Sequence, residues 1–150
     1  MFIKRYDSSW DNEIYSLFVR SVHESCKGFY TEPELSAWAP EEGDPVLWCR
    51  RLRNSKTLLA VDRGVLMGFG SALSGSIEKL FVDPEAQGRG IGRLLLSSLE
   101  GREGGEFRVC SSKQSRRFFE RQGYRTEQEH HIYYGDTALL TYVMVKPETE

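Results

Sequence analysis

Three features of the 150-residue sequence predict an α/β fold: a mixed, mostly antiparallel sheet of about six to seven strands flanked by helices. Segments 57–62 (TLLAVD), 65–73 (VLMGFGSAL) and 76–82 (SIEKLFV) are short, β-rich and separated by turns, which reads as an antiparallel meander. A glycine-dense turn at 83–92 (DPEAQGRGIG) then opens an aliphatic helical run, and another strand follows it. Two long β-patterned segments close the chain around Gly135-Asp136.

The remaining elements follow in order. FIKRY (2–6) alternates as a first strand, and DSS supplies N-cap side chains to a helix whose Trp10, Ile14, Leu17, Phe18 and Val22 recur at helical spacing. Thr31 and Glu34 form a capping-box pattern before LSAWA, and Asp44-Pro45 opens a second short helix, PVLWCRRLR. Ile91, Leu94, Leu95 and Leu99 mark one face of a helix running to about Glu100, and EFRVC (106–110) is the strand after it. SSKQSRRFFERQG is a further helix, capped by Ser111 or Ser112 and closed by Gly123 in the left-handed position.

Composition limits the function. A hydrophobic content of 39% can bury one ordinary core, and no linker or low-complexity tract divides residues 1–150, so a single domain is expected. A net charge of −2 calls for neither nucleic acid nor a membrane surface; a small-molecule or peptide partner fits better, with a homodimer left open. The start, MFIKRYDSSW, has no apolar leader core, and no stretch approaches the roughly 18 apolar residues of a membrane span, so the expected location is cytoplasmic. Cys26, Cys49 and Cys110 are odd in number and lack a CxxC pair, which argues against a disulfide framework and a zinc site. His130 and His131 point to opposite faces of a strand, so no metal is expected there either.

The glycine turn follows a strand and opens a helix, where unpaired backbone N–H groups and the helix dipole converge on an anion. A P-loop is excluded because no Gly-Lys-Ser or Gly-Lys-Thr occurs. A dinucleotide fingerprint fits poorly: the spacing is GxGxG, several strands precede it, and EFRVC ends without an acid. A plain tight turn is the remaining alternative.

LFVDPEAQGRGIGRLLL matches V-x-P-x-x-Q/R-G-x-G-I/L/V-G followed by an aliphatic helix, and so resembles the acetyl-CoA-binding signature of the GNAT superfamily of N-acetyltransferases. FFERQGY is similar to that family's F-Y-E-K-x-G-F segment, and VHES…FYTEPELSAWAPEE (22–42) resembles the front segment of one bacterial branch. The resemblance implies acetyl-CoA as cofactor, with Leu80, Phe81 and Val82 along the pantetheine arm on a strand splayed near 80–84. It implies Gln87, Gly88, Arg89, Gly90, Ile91, Gly92 and Arg93 around the pyrophosphate. His23, Tyr30 and Trp38 are the candidate acceptor contacts, with a packed or capping role as the alternative for His23, and the acidic stretch 31–45 would favour a cationic amine or be a solvent-facing loop. One basic side chain among Lys113, Arg116, Arg117, Arg121 and Arg125 could meet the cofactor's 3′-phosphate; otherwise that run is a solvated helix face.

Acetyl transfer needs a neutral amine, and a lysine-like amine of pKa about 10.4 is under about one part in a thousand neutral at pH 7, so a base helps. Strand alternation places Ser76, Glu78, Leu80 and Val82 on one face, and Glu78 is the ionisable side chain among them. It is the candidate base, or else a solvated strand glutamate. The tyrosine that the family uses as general acid is Phe119 here, so Tyr124 and Tyr30 are the substitutes to test, against an ordinary structural aromatic at each. Two functions follow: an acetyl-CoA-dependent N-acetyltransferase that acts on a primary amine by direct transfer, or a coenzyme-A-binding regulatory module with lost or weak catalysis.

Overall fold

The computed structural model describes residues 1–101 and 105–148. Its elements are β1 (Phe2–Arg5), α1 (Asp11–Ser25), α2 (Glu32–Trp38), α3 (Pro45–Cys49), β2 (Lys56–Asp62), β3 (Val65–Leu73) and β4 (Ser76–Val82), followed by α4 (Ile91–Glu100), β5 (Phe107–Ser111), α5 (Arg116–Arg121), β6 (Arg125–Tyr134) and β7 (Thr137–Lys146). All the strands lie in one sheet, in the order β1-β2-β3-β4-β5-β7-β6. Every neighbouring pair is antiparallel except β4 and β5, which are parallel. That single parallel pairing is the crossover through α4.

Both faces of the sheet are covered. Leu59, Val61 and Phe69 join Ile14, Leu17 and Phe18 of α1, whereas Leu58 and Ala60 join Ile91, Leu95 and Leu99 of α4. A strand buried on both sides reads as a continuous apolar run, which is why TLLAVD shows no polar alternation. Close approach of α4 depends on Gly70: a Cβ there would stand 2.8 Å from Leu99 Cδ1 and 3.1 Å from the Lys79 carbonyl oxygen.

The Thr31 and Asp44 signals act as the sequence suggests, whereas Asp7 of DSS caps a 3₁₀ turn at Ser8–Trp10 and α1 begins without a side-chain cap. Thr31 and Glu34 close a capping box at the start of α2, with Glu34 Oε1 accepting from the Thr31 N–H at 2.8 Å. Asp44 accepts from the Val46 and Leu47 N–H groups and so caps α3. Two predicted helices are shorter than the pattern implied. PVLWCRRLR divides into α3 and a 3₁₀ turn at Arg50–Asn54, and the helix expected from Ser111 or Ser112 begins with a 3₁₀ turn at Lys113–Ser115. The Ser112 side chain does not cap it; its hydroxyl donates to Ser115 Oγ at 3.2 Å. Among the described residues no helix is long and apolar enough to cross a membrane, and no three metal-ligating side chains come together.

Candidate active site

The site begins where β4 departs from regular pairing. Lys79 opposes Ser71 and Ile77 opposes Ala72, so Glu78 has no partner on β3 and forms a β-bulge. The extra residue reverses the alternation. Ile77, Leu80 and Val82 share the face that packs against α4, while Phe81 belongs to the α1 side and Lys79 Nζ lies over the Trp48 ring. Period-two counting thus fails at Ile77, which joins Leu80 and Val82 on the α4 face, while Glu78, Leu80 and Val82 all line the same cleft. The Glu78 carboxylate accepts from Arg51 Nε at 2.7 Å.

On its other edge β4 pairs with β5 only at Ser76/Arg108 and Ile77/Val109. From Glu78 to Val82 no partner among the described residues continues the parallel ladder, so the splay starts two residues before the expected 80–84. Backbone N–H and C=O groups on that edge face open space. The opening is a cleft of about 750 Å³. Its far end is the turn before α4, where Gly88 and Gly90 both have φ of +78° and a Cβ on either would meet no protein atom within 4 Å. These glycines thus satisfy a left-handed backbone and leave space clear; they do not relieve a clash within the protein. Gly90 is the N-cap of α4 and offers no side chain to the first-turn N–H groups. Those donors stay available to an anion.

Most residues expected at the cofactor line this cleft: Leu80, Phe81, Val82, Gln87, Gly88, Gly90, Ile91, Gly92 and Arg93. Gln87 Nε2 donates to the Val82 carbonyl at 3.2 Å. Arg89 does not line it, because its guanidinium turns to Asp62 at 3.3 Å. Arg121 represents the basic run on the wall, while Arg116 bonds Thr126 and stacks on Tyr142.

The remaining candidates separate. Glu78, Tyr30 and Trp38 line the cleft. The Tyr30 hydroxyl is occupied, donating to the Leu140 carbonyl at 2.6 Å and accepting from the Lys113 N–H at 3.1 Å, and burial pushes its pKa up to about 12. Only its ring is presented to the opening. His23 is not on the wall; its Nε2 donates to the Ala39 carbonyl at 2.8 Å and ties α1 to the end of α2. Tyr124 is not there either. It is 1% exposed, and its hydroxyl donates to Glu100 Oε2 at 2.6 Å, so burial and then the carboxylate raise its pKa. A hydroxyl so placed cannot serve as the substitute acid, and Phe119, 4% exposed, leaves the cleft wall with a phenyl ring at that position.

Sequence reasoning missed several wall residues. Trp48, Lys79, Cys110, Ser112, Tyr134 and Leu139 line the cleft. Lys79 shares the face of Phe81 by plain alternation, but its meeting with Trp48 of α3 has no local signal. Tyr134 and Leu139 depend on β7 crossing to pair with β5, a long-range event without a local signal. The acidic stretch lies elsewhere: Glu34 and Asp44 are spent on caps, and Glu41 and Glu42 are exposed.

Comparison with known proteins agrees with this geometry. The profile of the acetyltransferase (GNAT) domain matches residues 26–140. The chain is 31% identical over 130 residues to YafP of Escherichia coli (strain K12), named as an uncharacterized N-acetyltransferase, covering 87% of this chain and 85% of that protein. A GCN5-related N-acetyltransferase structure from Rhodopseudomonas palustris superposes with a TM-score of 0.92 at 27% identity, covering 97% of this chain and 94% of that one. The PaiA N-acetyltransferase of Thermoplasma acidophilum, solved with coenzyme A, shares the fold at a TM-score of 0.74 and 18% identity, covering 97% of this chain and 98% of that one. The glycine turn, the interrupted β4–β5 ladder and these matches converge: the chain belongs to the GNAT acetyltransferase family.

Proposed function

We propose that this chain, as one domain over residues 1–150, is an acetyl-CoA-dependent N-acetyltransferase that transfers the acetyl group directly to a primary amine. The observation that carries the reading is the loss of β4–β5 pairing after Ile77, which opens a cleft ending at the uncapped N-terminus of α4. Similar proteins have been solved with coenzyme A or acetyl-CoA. The bare first turn of α4, Gly88 and Gly90 suit a diphosphate, and the unpaired edge of β4 suits an amide-bearing arm. Bound there, acetyl-CoA supplies an acetyl group on a thioester: the amine nitrogen forms the C–N bond as the C–S bond breaks.

Glu78, oriented by Arg51, takes the proton that the amine must lose. With Phe119 at the usual tyrosine position and Tyr124 engaged by Glu100, solvent and backbone donors serve the departing thiolate. The free thiols of Cys26, Cys49 and Cys110 support a reducing, cytoplasmic setting. A calorimetric titration tests the cofactor assignment: acetyl-CoA saturates the wild type, and Gly90→Val, which adds a β-branched side chain at a left-handed residue, lowers the affinity about tenfold or more. Absence of uptake by folded wild-type protein overturns the reading. Glu78→Gln lowers kcat by about a hundredfold at neutral pH and spares cofactor affinity; an unchanged pH–rate profile removes Glu78 as base. Phe119 favours the second reading, a coenzyme-A-binding module without turnover, which predicts saturable binding but no thiol release with any amine.

A further inference from the structure

Beyond Glu78 the cleft wall is aromatic. Phe18, Trp38, Trp48 and Phe81 line it as one interlocked group: Phe18 stacks on Trp48 with centroids 4.3 Å apart, and Phe81 meets Phe18 at 5.1 Å and Trp38 at 6.3 Å. Lys79 enters this group with its Nζ 5.2 Å from the Trp48 ring centroid. Among the described residues it makes no ion pair, because the neighbouring Glu78 carboxylate is held by Arg51 at 2.7 Å. Two cations and one anion leave this corner positive by one charge.

Burial lowers the Lys79 pKa, which marks an ammonium short of a counter-ion. An arriving anion relieves that cost, whereas an arriving polycation increases it. The acidic residues of 31–45 do not change the balance, since none of them is on the cleft wall.

Resting on the acetyltransferase reading, we infer that the acceptor is an aromatic amino carboxylate, with its ring against Trp48, Trp38 and Phe81 and its carboxylate paired with Lys79 Nζ. The aromatic wall supplies apolar area and edge-to-face contacts; Lys79 supplies selection for the acid over the corresponding neutral-bodied amine. This reverses the cationic acceptor that the acidic stretch suggested.

The test uses the full chain loaded with coenzyme A. Phenylalanine with phenethylamine, tryptophan with tryptamine, and 4-aminobenzoate with aniline are titrated calorimetrically as matched pairs, alongside spermidine. In at least one pair the carboxylate binds about tenfold or more tighter than its partner, and spermidine does not saturate. Lys79→Met removes that preference and leaves the decarboxylated amine within about twofold, while its melting temperature and acetyl-CoA titration match the wild type. Equal or tighter binding of the decarboxylated amines or spermidine overturns the inference, as does a Lys79→Met variant that keeps the preference, or no saturable binding in any pair. If acetyl-CoA itself is not taken up, the acetyltransferase reading fails and this inference fails with it; uptake without the carboxylate preference sinks the inference alone.

Discussion

Glu78, Gly90 and Cys110 show how the same cleft constrains single residues differently. Glu78 has no partner on β3, and Arg51 holds its carboxylate. Gly90 owes its identity to a φ of +78° and to the space that a side chain would invade. Cys110 is the exposed thiol and stands on the cleft wall; burial raises its pKa as well, but Cys26 and Cys49 are buried outright and pushed up to about 12. A neutral maleimide at pH 8 is therefore expected to label Cys110 alone in the native protein. Coenzyme A at ten times its dissociation constant slows that labelling about tenfold by mass action, as peptide mapping after timed quenching would show. Unchanged labelling separates Cys110 from the cofactor path. At this scale the sequence exposed the glycines, because a chain reversal before a helix has a local signature. It hid Lys79 and Trp48, whose meeting needs α3 and β4 to pack.

Elements meet at Asp83, where β4 ends. Its carboxylate caps the Pro84–Ala86 turn through the Glu85 N–H and pairs with Arg20 of α1 at 2.8 Å. Burial alone would push the Asp83 carboxyl up; Arg20 and the Glu85 N–H outweigh it and hold the pKa below the ordinary value. The native state therefore binds fewer protons at this group than the unfolded chain, and its stabilisation is present above the ordinary carboxylate value and fades in acid. Asp83→Asn keeps the cap but loses the charge. The variant should be about 0.5–1 kcal/mol less stable at pH 7, a modest figure because Arg20 is partly exposed. The gap closes as pH falls from about 4 through the lowered native value, as urea melts across pH would show. A gap that does not narrow as the pH falls would assign the loss to something other than charge. Elements were the most legible level, since the strands, the Thr31 and Asp44 caps and the Gly123 stop each follow from neighbours within a few residues. Their limits were less so: the 3₁₀ turns at 50–54 and 113–115 follow from tertiary packing.

Across the whole molecule, the sheet is nearly divided. Seven residues of β4 and five of β5 share only two register pairs, so the halves on either side depend on α4, the covering helices and whatever fills the cleft. A ligand that bridges them should stiffen both strands. At a hundred times its dissociation constant, coenzyme A adds about 2.7 kcal/mol, which raises the melting temperature by about 5–10 °C for a chain of this size. Amide exchange should slow selectively in residues 78–82 and 107–111; a uniform effect would place the ligand elsewhere. The sequence by itself determined the order of strands and helices, the turn chemistry at 83–92 and the apolar faces of α1 and α4, because each is written in spacing and local conformational preference. Only the tertiary structure decided that Arg51 meets Glu78 beside a bulge, that Tyr124 is enclosed with Glu100, and that Lys79 stands among aromatic rings with no ion pair among the described residues. Those outcomes depend on register and packing between segments distant in the chain, where a one-residue slip redirects every side chain beyond it.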